Sequence, residues 1–174
     1  RLCYHLSKNA IYLNSHNEIN DHAARLLNVQ QQSFIRYFTA NGHTAPITSL
    51  CSRSNGVITA SQDRTIKIWD DSTDKCTTTL EVSSPANIAL HPNGLCLAVT
   101  TDSFLYIYDM RNLDSAVLTN KLHNNNDHPK GDFIPHFGMK GTKLAVVGPE
   151  YAQIYFMKDL SHFSLDHTMR KDTP

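Results

Sequence analysis

Long hydrophobic runs are scarce in this 174-residue sequence. The apolar runs are short, such as residues 144–147, so no segment approaches the roughly 20 residues that a membrane-spanning helix needs. An excess of one charge is also missing, because Lys and Arg number 16 and so do Asp and Glu. That balance gives no sign of a nucleic-acid partner. Hydrophobic residues still make up 40% of the chain, which favours a packed core over disorder.

Spacings that would hold a metal or a redox centre are absent as well. No two of the four cysteines stand in the CxxC spacing of tight-turn zinc sites and redox motifs. No helix is predicted around nine of the ten histidines, so none of them is expected to pair with a carboxylate four residues away on a helix. Solvated or locally hydrogen-bonded rings are expected instead. We therefore predict no metal, no cofactor, and thiols that are reduced and mostly buried. The four cysteines are Cys3, Cys51, Cys76 and Cys96. The nine histidines are His5, His16, His22, His91, His123, His128, His136, His162 and His167.

Helical periodicity is weak throughout the sequence. The best candidate is residues 21–34, where Asp21 offers an N-cap. Its apolar residues Leu26, Leu27 and Phe34 do not keep to one stripe. We therefore interpret the segment as two strands.

Short alternating runs take the place of helices. Four of them lie at residues 47–52, 57–60, 65–69 and 77–82, and turn-forming residues separate them. Four strands in about forty residues is the size of one β-propeller blade.

The third run of this unit recurs along the chain. A step of 39 residues leads from Trp69 to Tyr108, where FLYIYD stands in place of TIKIWD, and a further 47 residues lead to Tyr155. A step of 42 residues back from Trp69 reaches Leu27. The repeat predicts an all-β fold, a β-propeller with about four blades present.

The repeat also predicts the domain organisation. The segment rich in Asn at 123–132 breaks the rhythm and is expected to be an exposed loop. The predicted domains are a first blade with a partial match at 1–41, a blade with a full set of polar residues at 42–82, a degenerate blade at 83–122, the loop at 123–132 and a degenerate blade at 133–174.

Two residue pairs frame the unit at 42–70. A Gly-His pair ends at His43, and a Trp-Asp pair begins at Trp69, the only tryptophan of the chain. With the small-residue second strand and an Asp turn between them, these pairs resemble a WD repeat. The resemblance implies a structural tetrad of His43, Thr59, Asp63 and Trp69 in a buried hydrogen-bonded relay, with Ser61 as the alternative hydroxyl. A catalytic interpretation, with His43 and Asp63 activating Thr59, would need an exposed hydroxyl and an oxyanion hole.

The other units retain only parts of this set. Asp102 corresponds to Asp63, but Ala98 stands in place of the hydroxyl, and Pro149 replaces the Asp in the last unit. These blades are expected to rely on apolar packing. The predicted core residues are Ile88, Leu90, Leu97, Val99, Leu105 and Ile107 in one blade, and Leu144, Val146, Ile154 and Tyr155 in the other.

Longer stretches narrow the resemblance. The stretches SFIRYFTANGH at 33–43 and LHPNGLCLAVTTDSFLYIYDMRNLD at 90–114 are similar to the WD-repeat subunit shared by the COMPASS histone methyltransferase, a type 1 phosphatase complex and, in yeast, the cleavage and polyadenylation factor. The resemblance implies a nuclear, non-enzymatic adaptor with protein partners. These would be histone methyltransferase subunits or mRNA 3′-end processing factors, with the phosphorylated tail of RNA polymerase II as the other partner. Direct nucleic-acid binding and membrane association are not expected.

Contacting residues in propellers usually lie in the loops at one end of the blades. Here the candidates are Thr44, Gln62, Arg64, Ser103 and Phe104. The Arg64 guanidinium is suited to a phosphate, although a solvated side chain beside a tight turn is the simpler interpretation.

An alternative function comes from the Tyr-Asp-Met-Arg sequence at 108–111, which resembles the motif of substrate receptors of cullin-type ubiquitin ligases. Asp109 and Arg111 would dock the adaptor, or would form a structural pair at a strand end.

The number of units leads to one further expectation. Four blades are fewer than the seven-bladed ring usual in this family, so we expect a part of a larger propeller. Missing blades or a second copy would then cover its open faces and edges.

Overall fold

A computed structural model of the chain describes residues 2–5, 10–14, 22–28, 30–38, 42–122, 131–159 and 162–170. All regular secondary structure within these residues is β-strand, and it forms four antiparallel sheets of four strands each. In every sheet the strands pair in chain order, as in a propeller blade. The predicted all-β fold with WD-type propeller blades is confirmed.

The described residues contain no helix that is both long and apolar enough to cross a membrane.

The chain divides into two compact units, at residues 1–86 and 87–174. Two sheets make up the first unit. Within the segment 21–34, the described residues form one strand at 24–28 and the start of the next at 33–34, as predicted. The strands are β1 (Leu2–His5), β2 (Ala10–Asn14), β3 (Ala24–Asn28) and β4 (Ser33–Phe38) in one sheet, and β5 (Ile47–Arg53), β6 (Gly56–Ser61), β7 (Thr65–Asp70) and β8 (Lys75–Glu81) in the other.

The core of the first unit lies between its two sheets. Phe38 of β4 meets Trp69 of β7 with ring centroids 5.8 Å apart, and Leu26, Ile47 and Val57 join the same buried cluster. Every residue of β6 is buried, whereas exposure alternates along β8. This difference follows from position, because an inner strand is covered on both faces and an outer strand keeps one edge in solvent.

The second unit also consists of two sheets. Leu105 and Ile107 of one sheet pack with Leu144 and Tyr155 of the other in a single buried cluster. The strands are β9 (Asn87–Leu90), β10 (Cys96–Thr100), β11 (Phe104–Asp109) and β12 (Leu118–Lys121), then β13 (Ile134–Phe137), β14 (Lys143–Val147), β15 (Tyr151–Asp159) and β16 (His162–Arg170).

Two of the predicted core residues in this unit are wrong, because Leu90 and Ile154 are only half-buried. Ile154 is adjacent to Tyr155 on β15, and Tyr155 lies opposite the buried Leu144. Successive strand residues point to opposite faces, so only one of the two reaches the core.

Other sequence predictions have mixed outcomes. Among the described cysteines, Cys96 is buried, Cys51 and Cys76 are half-buried, and none of these three forms a disulfide. The prediction of mostly buried thiols is therefore wrong for two of the three. The exposed loop predicted at 123–132 lies outside the described residues except for Gly131 and Asp132. The domain boundaries stay predictions.

Candidate functional site

A chain of hydrogen bonds links four side chains in the second sheet. The indole Nε1–H of Trp69 donates to the Thr59 hydroxyl oxygen at 2.8 Å. That hydroxyl is 2.8 Å from His43 Nε2, and His43 Nδ1 is 2.9 Å from Asp63 Oδ2. One assignment satisfies every group: Thr59 donates to Nε2, and Nδ1–H donates to the carboxylate. The structure thus brings together the four residues that the WD resemblance implies.

The turn after β6 holds the carboxylate of Asp63 in place. Its Oδ1 accepts hydrogen bonds from the Thr65 hydroxyl at 2.6 Å and from the Thr65 backbone N–H at 2.9 Å. Its Oδ2 also accepts the backbone N–H of Thr44 at 3.0 Å. Ser61, the alternative hydroxyl, has another role, because its Oγ accepts from Asp63 N–H and donates to the carbonyl of Ala45.

Burial sets the protonation state of the histidine. It lowers the pKa of His43 below the ordinary 6.5, and the hydrogen bond and negative charge of Asp63 offset this only in part. Burial alone would raise the pKa of Asp63, but hydrogen bonds from Thr65, the Thr44 backbone and His43 outweigh it and lower that pKa to about 2. A neutral imidazole beside a carboxylate is therefore the stable state near neutral pH.

This geometry does not support nucleophilic catalysis. The Thr59 residue is 0% exposed, and its oxygen is occupied by the indole and the imidazole. A nucleophile must reach its substrate, so the interpretation of His43 and Asp63 as a dyad that activates Thr59 is wrong. Among the described residues there is also no cluster of three or more His, Cys, Asp or Glu side chains that could hold a metal ion.

Three of the predicted contacting residues surround the relay. Thr44, Gln62 and Arg64 are exposed, and all lie at the end of the sheet where Asp63 sits. Arg64 has a positive φ of 64°, and its carbonyl accepts the Val82 N–H at 3.0 Å. The backbone of this turn is thus fixed while its side chains face solvent.

The corresponding turn of the third sheet is less open. Ser103 and Phe104 are half-buried, and the Phe104 ring lies 5.9 Å from that of Tyr106. The Thr101 hydroxyl accepts the Phe104 N–H at 3.1 Å. The structure therefore places these two predicted residues in a packed turn, with less surface available for a partner than Gln62 and Arg64 offer.

The sequence at 108–111 forms an internal ion pair. Arg111 Nη2 is 2.6 Å from Asp109 Oδ2, and Arg111 Nε donates to both carboxylate oxygens at 2.9 and 3.2 Å. These contacts, with the Arg111 N–H bond to Oδ1, lower the pKa of Asp109 to about 2. The arrangement is the structural pair at a strand end, and its Arg111 side chain remains 66% exposed.

The second unit contains a polar cluster that the sequence did not reveal. Asn87 Nδ2 donates to Asp132 Oδ1 at 3.1 Å and to the Phe133 carbonyl at 3.0 Å, and the Thr100 hydroxyl donates to the same carbonyl at 2.6 Å. These bonds fasten the strand entering the fourth sheet to the third sheet. The Asn87–Asp132 pair spans 45 residues, and no spacing rule connects them.

A second contact, between His91 and Gly141, joins the same two sheets at their other end, and we call it the His91 clasp. His91 is 7% exposed, and its Nε2 lies 3.1 Å from the carbonyl of Gly141. His91 also packs edge-on against Phe137 at 5.0 Å. The expectation of a solvated or only locally bonded ring is therefore wrong for this histidine. By contrast, His136, His162 and His167 are exposed.

Comparison with known proteins identifies the repeat. Residues 34–70, which include all four relay residues, match the family model described as WD domain, G-beta repeat. This segment is therefore similar to a WD repeat.

Three curated proteins illustrate the wider similarity. The chain is 29% identical over 99 residues to WD repeat-containing protein 82 of Drosophila melanogaster, with 55% of this chain and 31% of that protein covered. It is 35% identical over 98 residues to THO complex subunit 3 of Arabidopsis thaliana, covering 52% and 31%. It is 28% identical over 97 residues to Set1 complex component swd2 of Schizosaccharomyces pombe, covering 55% and 27%. The matched region thus spans about a third of the length of these relatives.

Proposed function

We propose that the chain is a non-enzymatic WD-repeat scaffold of a nuclear chromatin or transcription complex. In this proposal it joins a COMPASS-like histone lysine methyltransferase, or mRNA 3′-end processing factors, to the tail of RNA polymerase II. Similarity to a Set1 complex component and to a THO complex subunit supports this class of assembly.

The observation that carries the proposal is that buried, mutually bonded side chains and exposed polar side chains lie side by side around Asp63. The buried side chains of the relay are committed to one another, so they stabilise the sheet without offering reactive groups. The exposed side chains of Thr44, Gln62 and Arg64 are carried on the backbone that this relay fixes. A rigid backbone that presents exposed polar groups suits binding, because few conformations are lost when a partner docks.

Arg64 is the residue that we assign to the phosphorylated tail. Its guanidinium has no ion pair within the described residues, and the turn bearing it is fixed by the Ser61 and Val82 backbone contacts at 3.2 and 3.0 Å. A planar guanidinium binds phosphate oxygens in a bidentate manner. Arg64 would therefore be the main source of affinity for a phosphorylated peptide at this end of the sheet.

The test is affinity purification of the tagged protein from nuclear extract. Methyltransferase or 3′-end processing subunits, together with RNA polymerase II, should be recovered with the wild-type chain. Arg64→Asn should lower recovery of the polymerase several-fold, because Asn tolerates the left-handed backbone while lacking the charge. Lys75→Gln, which removes one positive charge at an exposed lysine elsewhere in the same unit, is the matched control. Equal recovery with all three proteins would contradict the role of Arg64.

The second candidate function is substrate reception for a cullin-type ubiquitin ligase. It is favoured by the exposed guanidinium of Arg111, which stands at the end of β11 in the Tyr-Asp-Met-Arg sequence. The same purification separates the two functions, because a cullin adaptor should then be recovered and should be lost with Arg111→Ala. Recovery of methyltransferase subunits that is unaffected by Arg111→Ala supports the first function.

A further inference from the structure

A groove opens in the second unit at the end of the sheets opposite the Ser103 turn. It lies where the turn between β9 and β10 meets the turn between β13 and β14, beside the clasp of His91 with Gly141. Its volume is about 520 Å³, within the range of roughly 300–1,000 Å³ typical of ligand sites. The proposed methyltransferase or 3′-end processing function does not use this end of the sheets, whereas the second candidate function uses Arg111, which lines the groove.

The two carboxylates of the groove already have cationic or N–H partners. Asp109 accepts three hydrogen bonds from the Arg111 guanidinium. Asp159 has its two oxygens 2.8 and 2.9 Å from His162 Nδ1. Their negative charge is therefore partly compensated within the protein.

Among the described residues, the positive charges of the lysines in the groove have no anionic partner of this kind. Lys140 and Lys158 are both exposed, and neither has an ion pair within the part of the chain that the structure describes. With Arg111, they give the groove three cationic side chains against two anionic ones. The lining therefore has a formal excess of one positive charge, although the net charge of the whole chain is zero.

Apolar groups complete the lining of the groove. Val117 is 47% exposed on its wall, and Met157 contributes a side chain that is 8% exposed. Cys96 also lines the groove, but burial raises the pKa of this thiol to about 12, so it acts as an apolar surface rather than as a nucleophile. A ligand that fits must combine negative charge with apolar contacts.

We propose that this groove binds an acidic, extended peptide segment of a partner protein. Carboxylates along the peptide would pair with Lys140 and Lys158, and an apolar side chain between them would contact Val117. Carboxylates are favoured over a phosphate group because Asp109 already occupies one of the two N–H edges of Arg111, the edge formed by Nε and Nη2. Two separate lysines act instead as point charges that suit successive acidic side chains.

Fluorescence anisotropy with a labelled peptide of alternating Glu and Leu tests this proposal on the full chain. We expect binding at low salt that weakens as salt is added. The double variant Lys140→Glu/Lys158→Glu should weaken binding at least about tenfold, since both side chains are exposed and the fold should persist. Lys75→Glu/Lys121→Glu changes two other exposed lysines and the net charge by the same amount, so it should leave binding nearly unchanged.

Two altered peptides test the requirement for carboxylates, and nitrogen-15 spectra test where the peptide binds. A peptide with Gln in place of Glu should not bind, and a peptide with phosphoserine in place of Glu should bind no more tightly than the Glu peptide. Amide shifts in nitrogen-15 spectra should concentrate at Thr142 and Lys158. Preference for the phosphoserine peptide, equal losses in the two double variants, or no binding by the wild-type chain would each overturn the proposal.

Discussion

The Thr59 hydroxyl occupies the centre of the relay, since it accepts from Trp69 and donates to His43. Removal of the indole should therefore have two costs. Trp69→Ala deletes a large side chain that is 1% exposed, and it leaves the hydroxyl without its donor. We expect it to lower the free energy of unfolding by about 3–5 kcal/mol, measured by urea denaturation followed by circular dichroism.

Trp69→Phe is the control that separates packing from hydrogen bonding. It keeps an aromatic ring against Phe38 but loses the Nε1–H donor, so a smaller loss of about 1–3 kcal/mol is expected. Partner binding should decrease only as far as folding does. Unchanged denaturation of Trp69→Ala would be incompatible with the relay as a stabilising element.

The relay should also make stability depend on pH. The pKa of His43 is lower in the folded chain than the ordinary 6.5, so below about pH 6.5 the unfolded chain binds more protons at this residue. The pKa of Asp63 is about 2 when folded against an ordinary 3.8, which gives the same sign at lower pH. Stability should therefore fall as pH drops below about 6.5, and fall again between about pH 4 and 2.

Denaturation midpoints measured across this pH range, with two variants, test the assignment. His43→Gln should remove the decline that begins near pH 6.5, and Asp63→Asn should remove the decline between about pH 4 and 2. If the pH profile of His43→Gln has the same slope as wild type between pH 7 and 5, another group is responsible.

At this scale the sequence predicted the relay well and the other polar contacts poorly. His43, Thr59, Asp63 and Trp69 lie in one repeat, and the resemblance of that repeat to a WD repeat implied their proximity. Asn87 and Asp132 lie in different sheets. Their contact depends on how those sheets pack, which periodicity within a strand does not encode.

Hydrogen bonds between turns join the third sheet to the fourth. His91 lies on the turn before β10, and its ring bonds the carbonyl of the buried Gly141 before β14. His91→Ala should leave that carbonyl without its donor and cost about 1–3 kcal/mol. Thermal denaturation measures the effect, and His136→Ala, at an exposed histidine of the same unit, is the matched control. Similar melting of the two variants would exclude a stabilising clasp.

Strand order was the most predictable property of the elements. The recurring third runs at Leu27, Trp69, Tyr108 and Tyr155 all lie on the third strand of a sheet, because each four-stranded unit repeats the same alternation. Core membership was less predictable. Ile154 and Tyr155 are both apolar neighbours, and only the pairing of β15 with β14 decides which of them faces the core.

For the molecule as a whole, one apolar sheet face remains exposed in the second unit. Leu144 and Tyr155 pack on one face of the fourth sheet. On the opposite face, Val147 is 44% exposed, Phe156 is 43% exposed and Met169 is 48% exposed. The strand register places Val147 and Met169 opposite Ala152 on the same side of the sheet. Lys143, which is paired with Phe156 in the register, lies on the same face and interrupts its apolar area. Exposed apolar side chains grouped in this way are often covered by a protein surface.

In a solution that contains this chain alone, a second copy can cover that face. We therefore expect a mass above the 19.6 kDa of one chain in size-exclusion chromatography with light scattering, and a mass that rises with concentration. Val147→Lys/Phe156→Glu should reduce the association, because buried unpaired charges are costly. Met139→Glu, at a turn residue that is 97% exposed, should leave it unchanged. A stable wild-type monomer of 19.6 kDa at all concentrations would show that this face needs no cover.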